Sequence, residues 1–251
     1  MRAAQWQEAG RRFYHRGYNV FYREDGDGQE AIVFLHGFPT ASWDWHRVWP
    51  VFRARFRLIA MDFLGFGFSD KPAGYDYSLL DQADLVETLL GALGIDSAHV
   101  IAHDYGDSVA QELLARTVAR QASGEAGFTL RSVCWLNGGL FPEAHRARPI
   151  QRLLLSPAGP LVGRALTRRG FHRDMRALFG PMSRPDAEDL ADFWTLASSG
   201  DGRRIAHRLM RYLPERLEHG ARWLAAMQAD AIPQRFINGT QDPVSGGHMA
   251  E

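Results

Sequence analysis

The chain has almost no cysteine, no net charge and no long apolar run, and each shortage removes a class of protein. One cysteine, Cys134, stands among 251 residues, so an internal disulfide is excluded. Its neighbours Val133 and Trp135 put it in an apolar run, where a buried core thiol is the expected role. Lysine plus arginine and aspartate plus glutamate both total 29, giving zero formal charge. That balance leaves no footprint for nucleic acid or for an anionic membrane surface. The basic cluster from Arg164 to Arg176 reads as a solvated helical face. No stretch is long and apolar enough to span a bilayer, and MRAAQWQEAGRR lacks the apolar segment of a signal peptide. A cytoplasmic protein with no nucleic-acid or membrane partner is the expectation. No metal-ligand cluster or dinucleotide fingerprint stands out, and LGFGFSD lacks the GxGxxG spacing. No metal and no cofactor are therefore expected.

What is present is alternation. RRFYHRGYNVFYRE places the turn residues Arg16 and Gly17 between two aromatic-rich runs, which predicts a hairpin. AIVFLHG, RLIAMDFLG, AHVIAHD, TLRSVCWLNGG and PQRFINGT are short apolar runs of the kind found in strands covered on both faces. Helical patterns lie between them, notably SLLDQADLVETLLGALG and DSVAQELLARTVARQA. This order predicts an α/β fold with a doubly wound, mostly parallel sheet. From Phe141 to about Asp230 only helical patterns appear, broken by prolines, and Ser183-Arg184-Pro185 followed by acidic residues marks a helix start. The expected organisation is a core of residues 1–141 and 231–251, with a helical cap inserted over residues 142–230.

The chemistry is concentrated in VIAHDYGDSVAQELL. A nucleophile on a sharp strand-to-helix turn needs small residues two positions to either side, because the backbone there is crowded. Two registers meet that spacing: Asp104 between Ala102 and Gly106, and Ser108 between Gly106 and Ala110. The apolar run Val100-Ile101-Ala102 ends just before Asp104, whereas Ser108 would already lie inside the helix. Strand position thus favours Asp104. His36-Gly37-Phe38-Pro39 follows the strand AIVFL and can aim the Phe38 amide at the site beside the Tyr105 amide, forming an oxyanion hole. His36, Gly37 and Pro39 would support that loop. Asp242, in FINGTQDP, lies just past a strand end, where a carboxylate could orient a histidine.

FLHGFPTASWDW, MDFLGFGFSDKP, AHDYGDSVAQELLAR, LNGGLFPEAHR and DPVSG together resemble the epoxide hydrolase and haloalkane dehalogenase branch of the α/β-hydrolases. HDYGDSVAQELL and NGGLFPE carry a narrower resemblance, to the mesoderm-specific transcript group. The likeness runs from about Arg11 to the end. It implies Asp104 as nucleophile, Asp242 as the acid of a triad, the Phe38 and Tyr105 amides as oxyanion hole, and a cis bond before Pro39. It makes Tyr212 a candidate cap proton donor for an opening epoxide. Where dehalogenases of this branch hold the halide, this chain offers the Tyr105 hydroxyl and, at Phe38, no side-chain donor.

A carboxylate attacking an ester carbonyl would give a reactive anhydride, whereas attack on saturated carbon gives an alkyl ester that water can hydrolyse. The expected function is hydrolysis of a small apolar epoxide or alkyl halide. A carboxylic-ester hydrolase of the same fold and a non-catalytic binding protein are the alternatives. Trp194 and Trp223 in the helical insertion are candidate pocket walls. None of the ten histidines sits in a motif that marks it as the base. His103 precedes Asp104 on the strand and should point away, and His248 follows Asp242 by only six residues. In the family resembled, the base follows one further strand. The expectation is a fragment that stops short of its catalytic histidine and leaves the FING strand at a sheet edge.

Overall fold

Each apolar run forms a strand, and the polar or glycine-containing segments between them form the turns. The computed structural model of the chain describes residues 1–141, 143 and 148–247. A short helix, α1 (Ala3–Glu8), precedes the hairpin of β1 (Arg11–His15) and β2 (Tyr18–Asp25). Its turn residues Arg16 and Gly17 take φ of 47° and 94°, the left-handed pair whose twist suits a two-residue hairpin. β3 (Ala31–Leu35), β4 (Arg57–Met61), β5 (Ser97–His103), β6 (Thr129–Leu136) and β7 (Gln234–Ile237) complete the sheet.

The spatial order is β1-β2-β4-β3-β5-β6-β7, with β2 antiparallel to β4 and every pair from β4 to β7 parallel. β7 lies at one edge among the described residues. Alternate residues of β3 serve two cores. Val33 and Leu35 pack with residues of α3 (Leu79–Ala92) and α4 (Tyr105–Ser123) on one face. Ile32 and Phe34 face the other way, into a cluster that holds Trp6, Trp43, Trp45 and Trp49. The 3-10 turn over Ser42–Arg47 and α2 (Trp49–Phe52), which with α1 build that tryptophan cluster, were not anticipated. Their apolar residues follow neither a two-residue nor a 3.6-residue period over enough length.

α3 starts at Ser78, whose hydroxyl accepts from the Leu80 amide, and α4 stops at Gly124 in the left-handed region. Arg116 of α4 ties the two helices by ion pairs to Asp84 and Glu87 of α3, at 2.7 and 2.9 Å. Cys134 departs from expectation. It is only half-buried, in a shallow depression with Ile32, Phe56, His99 and Ser132, because it belongs to the outward set of β6 side chains.

No strand interrupts the described residues between β6 and β7. They form α5 (Pro149–Leu155), α6 (Gly159–Ala165), α7 (Arg168–Arg176), α8 (Ala187–Ser198), α9 (Gly202–Leu209) and α10 (Tyr212–Gln228). α8 follows Ser183-Arg184-Pro185 as anticipated, capped by Asp186 on the Asp189 amide. The expected start of the insertion, residue 142, lies outside the described residues, as do His145 and His248. α10 runs along α4. Trp223 donates to Glu112 at 2.7 Å, and Gln111 donates to the Met227 sulfur at 3.3 Å.

Candidate active site

β5 ends at His103 and α4 begins at Tyr105, so a single residue makes the bend. That residue is Asp104, at φ 49° and ψ −102°. A non-glycine side chain in this region is strained and persists only where its surroundings fix it. The fixing contacts are clear. The Gly106 amide donates to the His36 carbonyl at 3.0 Å, and Arg216 Nη2 donates to the Asp104 carbonyl at 2.8 Å. Ala102 on the strand side is fully buried. Ser108, the competing register, sits in the first turn of α4, buried, with its hydroxyl accepting from Arg216 Nε at 2.6 Å.

The loop after β3 meets this bend. The Phe38 amide donates to Asp104 Oδ2 at 3.0 Å, and the Phe38–Pro39 peptide is cis. His36 braces the loop from inside. Its Nδ1 lies 2.9 Å from the Gly37 carbonyl, and its Nε2 accepts from the Phe63 amide at 3.1 Å. An Nε2 that accepts must carry no proton, so the ring is neutral with its proton on Nδ1. Burial lowers the His36 pKa, against the pull of Asp62. Gly37 leaves room for its neighbours: a Cβ there would lie 2.8 Å from His103 Nδ1 and 3.1 Å from the Asp104 Cβ.

Both bends open on a cavity of about 750 Å³. Phe38, Asp104, Asn137 and Asp242 border it from the core, and Gln151, Leu154, Phe171 and Trp194 from the insertion. Asp242 is held there by Asn137 Nδ2 on Oδ2 at 3.0 Å and by the Val244 amide on Oδ1 at 2.7 Å. Among the described residues no histidine bonds to Asp242 or to the Asp104 carboxylate. Asn137, just after β6 with φ 45°, lies in the NGGLFPE segment, but its role beside Asp242 was not anticipated.

Residues 30–125 match the alpha/beta hydrolase fold family. The chain is 40% identical over 248 residues to the mesoderm-specific transcript protein of Mus musculus, covering 96% of this chain and 73% of that protein. The chain belongs to the α/β-hydrolase family. LipZ of Mycobacterium tuberculosis (strain ATCC 25618 / H37Rv) is 39% identical over 241 residues, which cover 96% of this chain and 82% of LipZ. The crystal structure of haloalkane dehalogenase DbeA from Bradyrhizobium elkani USDA94 has the same fold, with a TM-score of 0.75 at 24% identity, covering 96% of this chain and 84% of that one.

In this hydrolase several expected side chains lie elsewhere. Trp194 borders the cavity, with its ring 5.4 Å from Phe171. Trp223 does not: α10 carries it against α4, where Glu112 takes its N–H. The Tyr105 ring is no halide donor in the cavity, because it packs into the core between Phe63, Phe66 and Tyr212, at 5.4, 5.0 and 5.3 Å. Tyr212 is likewise fully buried, behind the cavity wall, and its hydroxyl accepts from Gln151 Nε2 at 3.2 Å. Burial pushes both phenols up. His103 does not point clear of the site as expected. Its ring lies against Gly37 and borders the cavity.

Three ionisable groups around Asp104 went unremarked in the sequence. Arg216, from α10, is 1% exposed and faces Tyr212, with Cζ 4.5 Å from the ring centroid. Asp107, against Gly138, is pushed well up by burial and then by the charge of Asp104. Asp44 borders the cavity but its carboxyl is enclosed and hydrogen-bonded to Thr40. Burial, with repulsion from Asp62 and Asp104, outweighs that bond and pushes Asp44 up to about 8. The feature that could have flagged Asp44 is a lone acid amid aromatics, TASWDWHRVW.

Proposed function

We propose that this hydrolase uses Asp104 as a nucleophile on a saturated carbon of a small apolar alkyl halide or epoxide, by way of an alkyl-enzyme ester. The observation that carries the reading is the Phe38 amide, 3.0 Å from Asp104 Oδ2, at a bend only Asp104 occupies. An oxyanion formed when water attacks the Asp104 carbonyl carbon would meet that amide and the Tyr105 amide at the start of α4. One such donor is worth about 2.7–4 kcal/mol in a water-poor site. Asp242, fixed at the cavity edge, is the carboxylate that would orient a histidine acting on that water. The helices inserted over 142–230 serve as the cap, and Trp194 supplies part of the apolar wall.

Alkyl halides are favoured over epoxides. A halide leaves without a proton, whereas an epoxide oxygen needs one, and the Tyr105 and Tyr212 hydroxyls both lie behind the wall. The test is intact-mass and peptide mapping after incubation with 1-bromobutane. A butyl adduct on Asp104, absent in Asp104→Asn and kept in Ser108→Ala, is the expected result. An adduct that survives Asp104→Asn, or labelling of Ser108 by a serine-directed phosphonate, would overturn the reading.

A further inference from the structure

We propose that Arg216 is a charge switch on the nucleophile: its buried guanidinium is paired while Asp104 is a carboxylate, is left unpaired when Asp104 is an alkyl ester, and so drives that ester toward hydrolysis. The inference rests on Asp104 being the nucleophile.

The guanidinium is spent on neutral groups except at one point. Nη2 reaches the Asp104 carbonyl at 2.8 Å and Nε the Ser108 hydroxyl at 2.6 Å. Its face covers the Tyr212 ring, and Nη1 is buried without a hydrogen-bond partner. Nη2 lies 3.6 Å from Asp104 Oδ1, its one carboxylate within ion-pair distance among the described residues. Glu215, next on the helix, is turned away and accepts from the Leu79 amide at 2.7 Å. Asp107 makes no ion pair with Arg216 among the described residues, and burial pushes its carboxyl up, away from the charged form. The Asp104 carboxylate is therefore the counter-charge of Arg216.

The reaction switches that charge off and on. In the first step an Asp104 oxygen bonds to the substrate carbon as the carbon–bromine bond breaks, and bromide leaves with the electron pair. The product ester is neutral, and the guanidinium remains buried without a counter-ion, which is costly in a poorly solvated place. In the second step water adds to the Asp104 carbonyl carbon and the carbonyl–oxygen bond of the ester breaks. One water proton goes to the departing alcohol and the other to solvent. The carboxylate returns, and with it the pair. Arg216 thus raises the ester above the free enzyme, and it does so through Asp104 without touching substrate: it is a positioning residue with an electrostatic task.

A merely structural Arg216 predicts something different. Loss of a brace on the bend would slow both steps, whereas loss of the charge lengthens the life of the ester without slowing its formation. The full chain is pulsed with 1-bromobutane, then the butyl adduct on Asp104 is followed by mass during and after removal of reagent. Arg216→Met is expected to lengthen the ester lifetime at least about tenfold, with adduct formation slowed by no more than about threefold. Arg216→Lys, which keeps a cation, is expected to hold the lifetime within about threefold of wild type. A second readout does not depend on the variant folding well: alkylation of the wild-type chain should lower its Tm, because it unpairs a buried cation. Equal ester lifetimes in wild type and Arg216→Met, joint slowing of both steps, or an unchanged wild-type Tm on alkylation would overturn the switch while leaving the Asp104 reading intact. No adduct on the wild-type chain would overturn both.

Discussion

Gly106 and Leu35 nearly touch: a Cβ added at Gly106 would stand 2.4 Å from the Leu35 carbonyl oxygen. The strand that carries the loop and the helix that follows Asp104 are thereby pressed together, backbone to backbone. A carbonyl fixed in a parallel ladder cannot step aside as a flexible side chain could. Gly106→Ala is expected to destabilise the protein by about 1–3 kcal/mol. Gly91, on α3 with nothing near its missing Cβ, is the control. Gly91→Ala should stabilise by about 0.5–1 kcal/mol. Thermal unfolding of the two variants checks the pair, and equal shifts would remove the crowding argument.

Asp44 should make stability fall as pH rises. Its folded-state pKa, pushed up to about 8 by burial, lies above that of the unfolded chain. Between about pH 4 and pH 8 the folded state holds a proton that the unfolded state has lost, so each rise in pH favours unfolding. Asp44→Asn deletes this contribution and keeps the shape. Its Tm relative to wild type should increase by about 3 °C or more between pH 5 and pH 8. A constant difference across that range would show that Asp44 does not titrate there.

His36 carries the opposite slope. Burial lowers its pKa in the folded state, so below about pH 6.5 the unfolded imidazole takes up a proton that the folded ring refuses. Stability from this group is lost as pH falls through that value toward the lower folded pKa. His36→Ala leaves the Phe63 amide without its acceptor and should cost about 1–3 kcal/mol at pH 7.5. The deficit should shrink at pH 5.5, where wild type has lost ground. Urea unfolding at the two pH values measures it.

Two tryptophans of the insertion should part company. Trp194→Ala opens the cavity wall and should change the rate of adduct formation across a series of alkyl halide chain lengths. Trp223→Phe removes a donor from buried Glu112, which keeps Arg116 at 2.9 Å and Arg222 as partners. It should cost about 1–2 kcal/mol of stability and leave the chain-length profile unchanged. A profile altered by Trp223→Phe would return that residue to the cavity.

Much of the frame is legible in the sequence. The hairpin at Arg16-Gly17, the parallel strands, α3, α4 and the strand-free insertion follow from period, turn residues and caps, which act over a few neighbouring positions. The position of Asp104 at the bend was also local, because it depends on where an apolar run stops. Trp223, Tyr105 and Tyr212 could not be placed in this way. Each lies on a helix or at its start, and the side it presents depends on a neighbour far along the chain: α4 for Trp223, Phe63 and Phe66 for Tyr105, and Gln151 for Tyr212.

The sequence by itself determined the elements, their order, and the bend that carries a carboxylate, because hydrophobic period and turn chemistry are short-range. Tertiary structure alone decided which charges surround that carboxylate. Arg216 is 112 residues from Asp104 along the chain and 2.8 Å from its carbonyl in space. No spacing rule spans that distance. The approach is made by packing α10 on α4, and only burial then turns an ordinary arginine and an ordinary Asp44 into groups whose charge matters.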